Sequence, residues 1–240
     1  MEFYESIINY YDHIFPLKEQ QARFVTQSFP HPENLSLLDI GCGTGSLSTE
    51  LSKTFSKVVA IDLDEAMIGR AKKKNNGPVS FSKMNMLDIE EEFGEQAFDA
   101  VICFGNTLVH VTDPSLIQQF FNQAKKILQS DGKLLFQIIN YDRIIDQNIK
   151  ALPTIENDTV RFVRNYNYSS PITLIDFETT LLIKETDNEI QNSVQLYPLR
   201  KAEVEVMLRR AGFTKLTFYG NFKREGLTTD SQPLIVEATI

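Results

Sequence analysis

The sequence predicts an α/β fold, a seven-stranded and mostly parallel sheet flanked by helices, with an antiparallel β-meander inserted after the fifth strand. Three observations predict it. From Leu35 onward, short apolar runs alternate with amphipathic stretches, the pattern of strand–helix–strand units. One apolar run, within "LLDIGCGTGSLS" (37–48), ends on an acid and opens onto glycines at every second position. Between Ile144 and Leu196 the period changes to long alternating segments separated by turn-forming residues.

Taken in order, residues 1–34 read as an N-terminal helical lid segment. Strand-like runs follow at "LSLLDI" (35–40), "KVVAID" (57–62), "VSFSKM" (79–84), "FDAVICF" (98–104) and "KLLFQII" (133–139). Helices are expected over 44–54, 65–75 and 114–129. Asn76–Gly77–Pro78 stops the second of these; Asp113–Pro114 opens the third with a capping acid and a first-turn proline, and Asp131–Gly132 ends it. The meander comprises "TVRFVRNYNY", "ITLIDFETTLLIKE" and "EIQNSVQLYP", broken at Ser169–Ser170–Pro171 and Asp187–Asn188. An amphipathic helix over 201–213, closed by Gly212, leads to the strand-like runs 215–219 and 233–240, which can form an edge hairpin. The expectation is a single domain, 1–240, with its α/β core at 35–143 and 198–240. Residues 144–197 form a cap over the active site, because ligands of open α/β sheets bind beyond the carboxyl ends of the strands.

Composition narrows the function classes. The 240 residues carry a net charge of −8 and no basic block longer than Lys72–Lys73–Lys74, which argues against nucleic acid as a partner. No run approaches the ~18 apolar residues of a membrane span, and the start lacks the pattern of a signal peptide, so a cytoplasmic protein is expected. Two cysteines and three scattered histidines provide neither a disulfide framework nor metal-ligand spacing. The meander can equally pair with a second subunit, which leaves a homo-oligomer open.

Gly41, Gly43 and Gly45 let the chain turn sharply after a buried strand, with no Cβ between backbone and ligand. A dinucleotide fingerprint needs G-x-G-x-x-G, and here Ser46 occupies the third place; a phosphate loop needs G-K-[ST], which is missing. Asp39, two residues before the first glycine, would repel a pyrophosphate and suits a cationic ligand. Asp62, closing the next strand, can accept hydrogen bonds from both hydroxyls of a ribose. A nucleoside with a cationic tail and no phosphate fits both acids.

The combination D-x-G-x-G-x-G followed by an acid closing the second strand resembles the class I S-adenosylmethionine-dependent methyltransferases, whose sheet is Rossmann-like. That resemblance implies S-adenosyl-L-methionine as cofactor, with Asp39 holding its amino group and Asp62 its ribose. The segment "KMNMLDIEE" (83–91) matches the family's adenine segment, placing Asn85 at the exocyclic amine and the Met86 backbone at the ring. Many members carry Asp where Asn85 stands, although an amide oxygen accepts the same bond; Asp88 is the alternative partner. Leu63 and Met67 match the apolar residues that sandwich the adenine, and ordinary core residues would look the same.

Farther along, "AVICFGNTLVHVTD" (100–113), "INYDRI" (139–144) and "VQLYPLR" (194–200) resemble the glycine and sarcosine N-methyltransferase branch. By that resemblance the Phe104 carbonyl meets the cofactor's amino group, Gly105 and Asn106 face the acceptor, and His110 lies on the cofactor side. For His110, a ring satisfied by a backbone group at a helix start is the alternative. "NYYDHIF" (9–15) resembles the family's lid segment, with Tyr11, or else Tyr10, closing over the cofactor. Substrate recognition is expected from the insertion, including Tyr197, and from the loop "YGNFKREG" (219–226). A carboxylate-bearing acceptor could be clamped by Arg161 or Arg164. Three residues apart, the two face opposite ways in a regular strand, so at most one points at the site.

The function expected is methyl transfer to a small-molecule acceptor, an amine among the candidates, with no single catalytic residue singled out. Transfer from a sulfonium is an in-line displacement that positioning and water exclusion promote without a metal. Competing readings are a non-catalytic S-adenosylmethionine-binding protein and a methyltransferase acting on protein. A nicotinamide-dependent oxidoreductase is disfavoured by the glycine spacing and by Asp39.

Overall fold

The structure, a computed structural model, describes residues 2–75 and 77–240, so Asn76 of the expected helix stop lies outside the described residues. The chain opens with three helices, α1 (Glu2–Ile7), α2 (Tyr11–Ile14) and α3 (Glu19–Gln27). The α/β units follow as β1 (Ser36–Ile40), α4 (Ser46–Leu51), β2 (Lys57–Asp62), α5 (Glu65–Lys74), β3 (Ser80–Lys83), α6 (Ile89–Phe93), β4 (Phe98–Cys103), α7 (Pro114–Ile127) and β5 (Leu128–Ile139). After α8 (Tyr141–Asp146) come β6 (Ala151–Glu156), β7 (Val160–Asn167), β8 (Ile175–Ile183) and β9 (Asn188–Leu196), then α9 (Lys201–Ala211), β10 (Lys215–Tyr219) and β11 (Pro233–Thr239).

The larger sheet has seven strands in the order β10-β11-β5-β4-β1-β2-β3. Only β11 runs against its neighbours β5 and β10. It lies inside the sheet rather than at the edge, and β10 forms the edge. The strand order reverses between β1 and β4, where a ligand crevice opens at the carboxyl ends. Helices cover both faces, so β1 and β4 read as nearly continuous apolar runs. Phe24, Leu37, Ala100 and Ile102 build one core layer, and Leu38, Val101, Phe121 and Phe136 build the other.

Local signals explain most boundaries. Asp64 caps α5 by accepting from the Ala66 and Met67 amides, Asp113 caps α7 through the Ser115 amide at 2.8 Å, and Gly212 closes α9 at φ 98°. The third expected helix stops at Ile127, before Asp131–Gly132. The Ala97 amide bonds to the Ile127 carbonyl at 2.8 Å and Phe98 pairs with Leu128, so tertiary pairing straightens the chain early. Helix α6 escapes the sequence pattern because Ile89 is its one buried residue.

The cap is a separate antiparallel sheet, β6-β7-β8-β9, one strand larger than the three alternating segments suggested. Its extra strand, β6, is an edge strand containing Pro153 and a register shift, features that hide a strand from pattern reading. Ile7 and Ile14 of the N-terminal helices pack into one cluster with Val160, Phe162, Leu181 and Ile183 of the cap. Lid and cap therefore share an apolar layer. No helix among the described residues is long and apolar enough to cross a membrane.

Candidate active site

The site assembles where β1, β2 and β4 end. Gly41, Gly43 and Gly45 all adopt positive φ, at 71°, 55° and 76°. All three are also crowded by neighbours: a Cβ on Gly41 would lie 2.4 Å from Thr107 Cγ2, one on Gly45 2.6 Å from the Phe81 ring, and one on Gly43 3.0 Å from the Tyr11 hydroxyl. The loop is thus wedged between the turn after β4 and the lid.

Two acids stand beside it. Asp62 Oδ2 accepts the Gly43 amide at 2.8 Å and Oδ1 the Asp64 amide at 2.9 Å; burial raises its pKa despite these bonds. Asp39 is 3 % exposed and accepts from Ser48 Oγ in α4 at 2.6 Å. Burial lifts its carboxyl to about 7, opposed by the Ser48 bond and reinforced by the charge of Asp62. Two buried acids facing a collar of backbone amides suit a ligand that brings hydroxyls and positive charge.

The lid closes this end. Tyr11 lies on Gly43, and its ring stands 6.3 Å from Tyr4 and 5.2 Å from Phe15. Tyr10 packs against the cap cluster, as Tyr4 and Tyr11 also do. Tyr4 Oη lies 2.9 Å from His110 Nε2, so the partner of this histidine is a phenol of the lid. Burial lowers the His110 pKa to about 4, leaving the ring neutral near pH 7. Asp12 fastens α2 to the loop and to α5, accepting from Thr44 Oγ1 and from Lys74 Nζ at 2.9 Å; Lys74 also reaches Ser46 Oγ at 2.6 Å.

In the expected adenine region, the Met84 amide bonds to the Asp62 carbonyl at 2.9 Å and brings Asn85 next to the end of β2. The Asn85 oxygen accepts the Leu87 amide at 3.1 Å within a tight turn. Leu63 is 45 % exposed beside Asp62, whereas Met67 is 1 % exposed on the inner face of α5. Met86 is half-buried against the core, and Asp88 is exposed before α6 without a side-chain capping bond.

The turn after β4 is held by groups that sequence reasoning missed. Gln137 in β5 accepts the Gly105 amide through its side chain at 3.0 Å and the Asn106 amide through its backbone at 3.1 Å. A glutamine inside "KLLFQII" was the available signal. Asn106, at φ 67°, accepts the Ile139 amide at 2.9 Å and donates to Tyr141 Oη at 3.2 Å, so both ends of its amide are engaged at the site wall. Thr107 Oγ1 donates to the Phe104 carbonyl at 2.7 Å, and the Phe104 ring packs on Phe24 and Phe222.

On the cap, Arg161 is exposed, with its Nε 3.8 Å from Glu156. Arg164 faces the covered side, donates from Nη2 to the Pro153 carbonyl at 2.6 Å and leaves Nε buried without a partner. Tyr197 donates to Glu203 at 2.7 Å and borders a cavity of about 680 Å³ with Thr112, Ile172 and Arg200. The loop 219–226, read as a recognition element, is spent on packing. Arg224 stacks on Phe24 and bonds to Ser28 Oγ at 2.6 Å and Glu237 at 3.1 Å, while Phe222 packs on Phe24 and Phe104.

Comparison with known proteins matches this geometry. The strand order, glycine collar and paired acids are those of the fold that S-adenosylmethionine-dependent methyltransferases share, and the two acids suit that cofactor. Residues 37–132 match the family described as Methyltransferase domain. The chain is similar to the glycine/sarcosine N-methyltransferase of Aphanothece halophytica, 23% identical over 227 residues that cover 93% of this chain and 81% of the relative. An S-adenosylmethionine-dependent methyltransferase from Clostridium acetobutylicum shares the fold with a TM-score of 0.82 at 15% identity, covering 99% of this chain and 98% of that one. So does the S-adenosylmethionine-bound amino pentose methyltransferase of Micromonospora echinaspora, at TM-score 0.71 and 18% identity, covering 92% and 90%.

Proposed function

We propose that this chain transfers the methyl group to a small-molecule amine. The observation that carries the reading is the roof over the corner at Gly105–Asn106. The Tyr166 ring of the cap stands 6.4 Å from Tyr141, and the lid reaches His110 through Tyr4. A corner covered by cap and lid favours a small acceptor over one fixed on a macromolecular surface.

In this reading Asp62 takes the ribose hydroxyls, and Gly41, Gly43 and Gly45 leave room for the methionyl chain. Asp39 and the Phe104 carbonyl serve the amino group. Leu63, Asn85 and Met86 border the adenine, with Met67 buried behind them in α5 and Tyr11 and His110 closing the cofactor side. The bound cofactor supplies an activated methyl on a sulfonium. A neutral amine attacks such a methyl without a dedicated base, so the chain's contribution is alignment and exclusion of water. The names of the two N- or amino-directed relatives support the amine.

The test is incubation with methyl-labelled cofactor and a fractionated library of small amines, with mass spectrometry of products. Labelled amine is the expected result; label found only on protein, or on nothing, rejects the proposal.

A further inference from the structure

Gln137 interrupts an apolar strand. Leu135 and Ile235, which share its side of the sheet, are fully buried, and Gln137 itself is 9 % exposed. A polar side chain in such a layer costs stability unless it is hydrogen-bonded. Its partner is the turn after β4: Oε1 accepts the Gly105 amide at 3.0 Å, while the backbone carbonyl of the same residue accepts the Asn106 amide at 3.1 Å.

Two successive amides therefore converge on one residue of β5. Gly105 at φ 78° and Asn106 at φ 67° supply the left-handed turn that this requires. Converging amides of this kind form a concavity that attracts anions, and here the two oxygens of Gln137 fill it. No donor of the turn is left for an anionic ligand.

Across a trans peptide the N–H and C=O point in opposite directions. The Phe104 and Gly105 carbonyls are thus turned away from β5, toward the side of β4 on which β1 lies. That side is the crevice. Asp39 of β1 pairs with Ile102 of β4, and the same register carried two residues further sets Gly41 level with Phe104. Thr107 fills the space beside Gly41 and donates to the Phe104 carbonyl at 2.7 Å, which uses one of its two lone pairs and leaves the other for a ligand. Were Gln137 to release the Gly105 amide, the peptide would be free to rotate and present a donor where a cation has to sit.

We propose that Gln137 is a positioning residue that sets the polarity of this wall: by gathering both amides it turns carbonyl oxygens toward the crevice, and through the Phe104 carbonyl it selects the ammonium group of the cofactor. This rests on the cofactor placement above and is independent of the acceptor.

The experiment compares adenosylhomocysteine with its desamino analogue, in which hydrogen replaces the amino group, by isothermal titration calorimetry on the full chain. Wild type should bind adenosylhomocysteine about tenfold or more tightly than the analogue, as expected of hydrogen bonds to a charged group. Gln137→Leu should cut that preference several-fold and leave the affinity for the analogue close to the wild-type value. Gln137→Met, of similar length to glutamine, should do the same, so the outcome does not hang on one variant folding. Gln137→Glu, which keeps an acceptor for Gly105, should retain the preference. A merely structural role would weaken both ligands alike and leave their ratio unchanged, and that result overturns the proposal. The two readings fail differently. No preference for the amino group in wild type sinks the cofactor placement itself, whereas a preference that survives both apolar variants sinks Gln137 alone.

Discussion

Gly43 donates its amide to Asp62 Oδ2 at 2.8 Å, which joins the glycine loop after β1 to the acid that ends β2. One carboxylate thereby shapes the loop and faces the expected ribose position. Asp62→Ala should weaken adenosylhomocysteine binding at least tenfold, about 1.4 kcal/mol, by isothermal titration calorimetry. Asp62→Asn, which keeps an acceptor for Gly43, should lose less. Unchanged affinity in the alanine variant removes Asp62 from the site.

Gly41 is required by its neighbour as much as by its own backbone, since Thr107 occupies the space a Cβ would need. Gly41→Ala should destabilise the fold by ~2 kcal/mol, from a positive φ and a contact with Thr107 that must give. Urea denaturation checks this; a loss below ~0.5 kcal/mol contradicts the packing argument.

Asp39 sets a pH dependence. Its folded pKa of about 7 exceeds the ordinary 3.8, so the folded chain retains a proton that the unfolded chain has released between those values. Its contribution to stability therefore falls as pH rises through that window. His110 acts oppositely, because its folded pKa of about 4 lies below the ordinary 6.5 and its contribution is lost as pH falls. Comparing Asp39→Asn with wild type cancels His110. The melting temperature of the variant should gain on wild type by about 5 °C or more between pH 5 and pH 8. A gap that does not change with pH contradicts the buried carboxylate.

Asp12 latches the lid through Thr44 and Lys74. The ion pair is partly exposed and worth under ~1 kcal/mol, and the hydroxyl bond adds ~1 kcal/mol. Asp12→Ala should therefore release adenosylhomocysteine about 5- to 10-fold faster in a chase experiment, and Lys74→Ala only about 2-fold faster, with sensitivity to salt. Equal release from Asp12→Ala and wild type would show that α2 does not gate the cofactor.

Much of the site was legible because it is local. The glycine loop, Asp39, Asp62, Gly105 and Asn106 all sit at strand ends, and a buried parallel strand announces its end by a switch from apolar residues to glycine and acid. Tyr4, Gln137 and Tyr141 were not legible. Each gains its place from a partner on another element: His110, Gly105 and Asn106, respectively. The loop 219–226 shows the reverse error, since its arginine satisfies Glu237 and Ser28 rather than a ligand.

By itself, the sequence determined the strand–helix order, the glycine collar and its two acids, and with them the class of cofactor, because these depend on residues a few positions apart. It also restricted Arg161 and Arg164 to opposite faces of a strand. Tertiary structure decided which of the two lies on the covered face of the cap sheet, and it decided that the lid reaches His110 and that Asn106 braces the turn after β4. Those outcomes depend on how the cap sheet and N-terminal helices bury their shared apolar face, and burial couples residues that no local pattern connects.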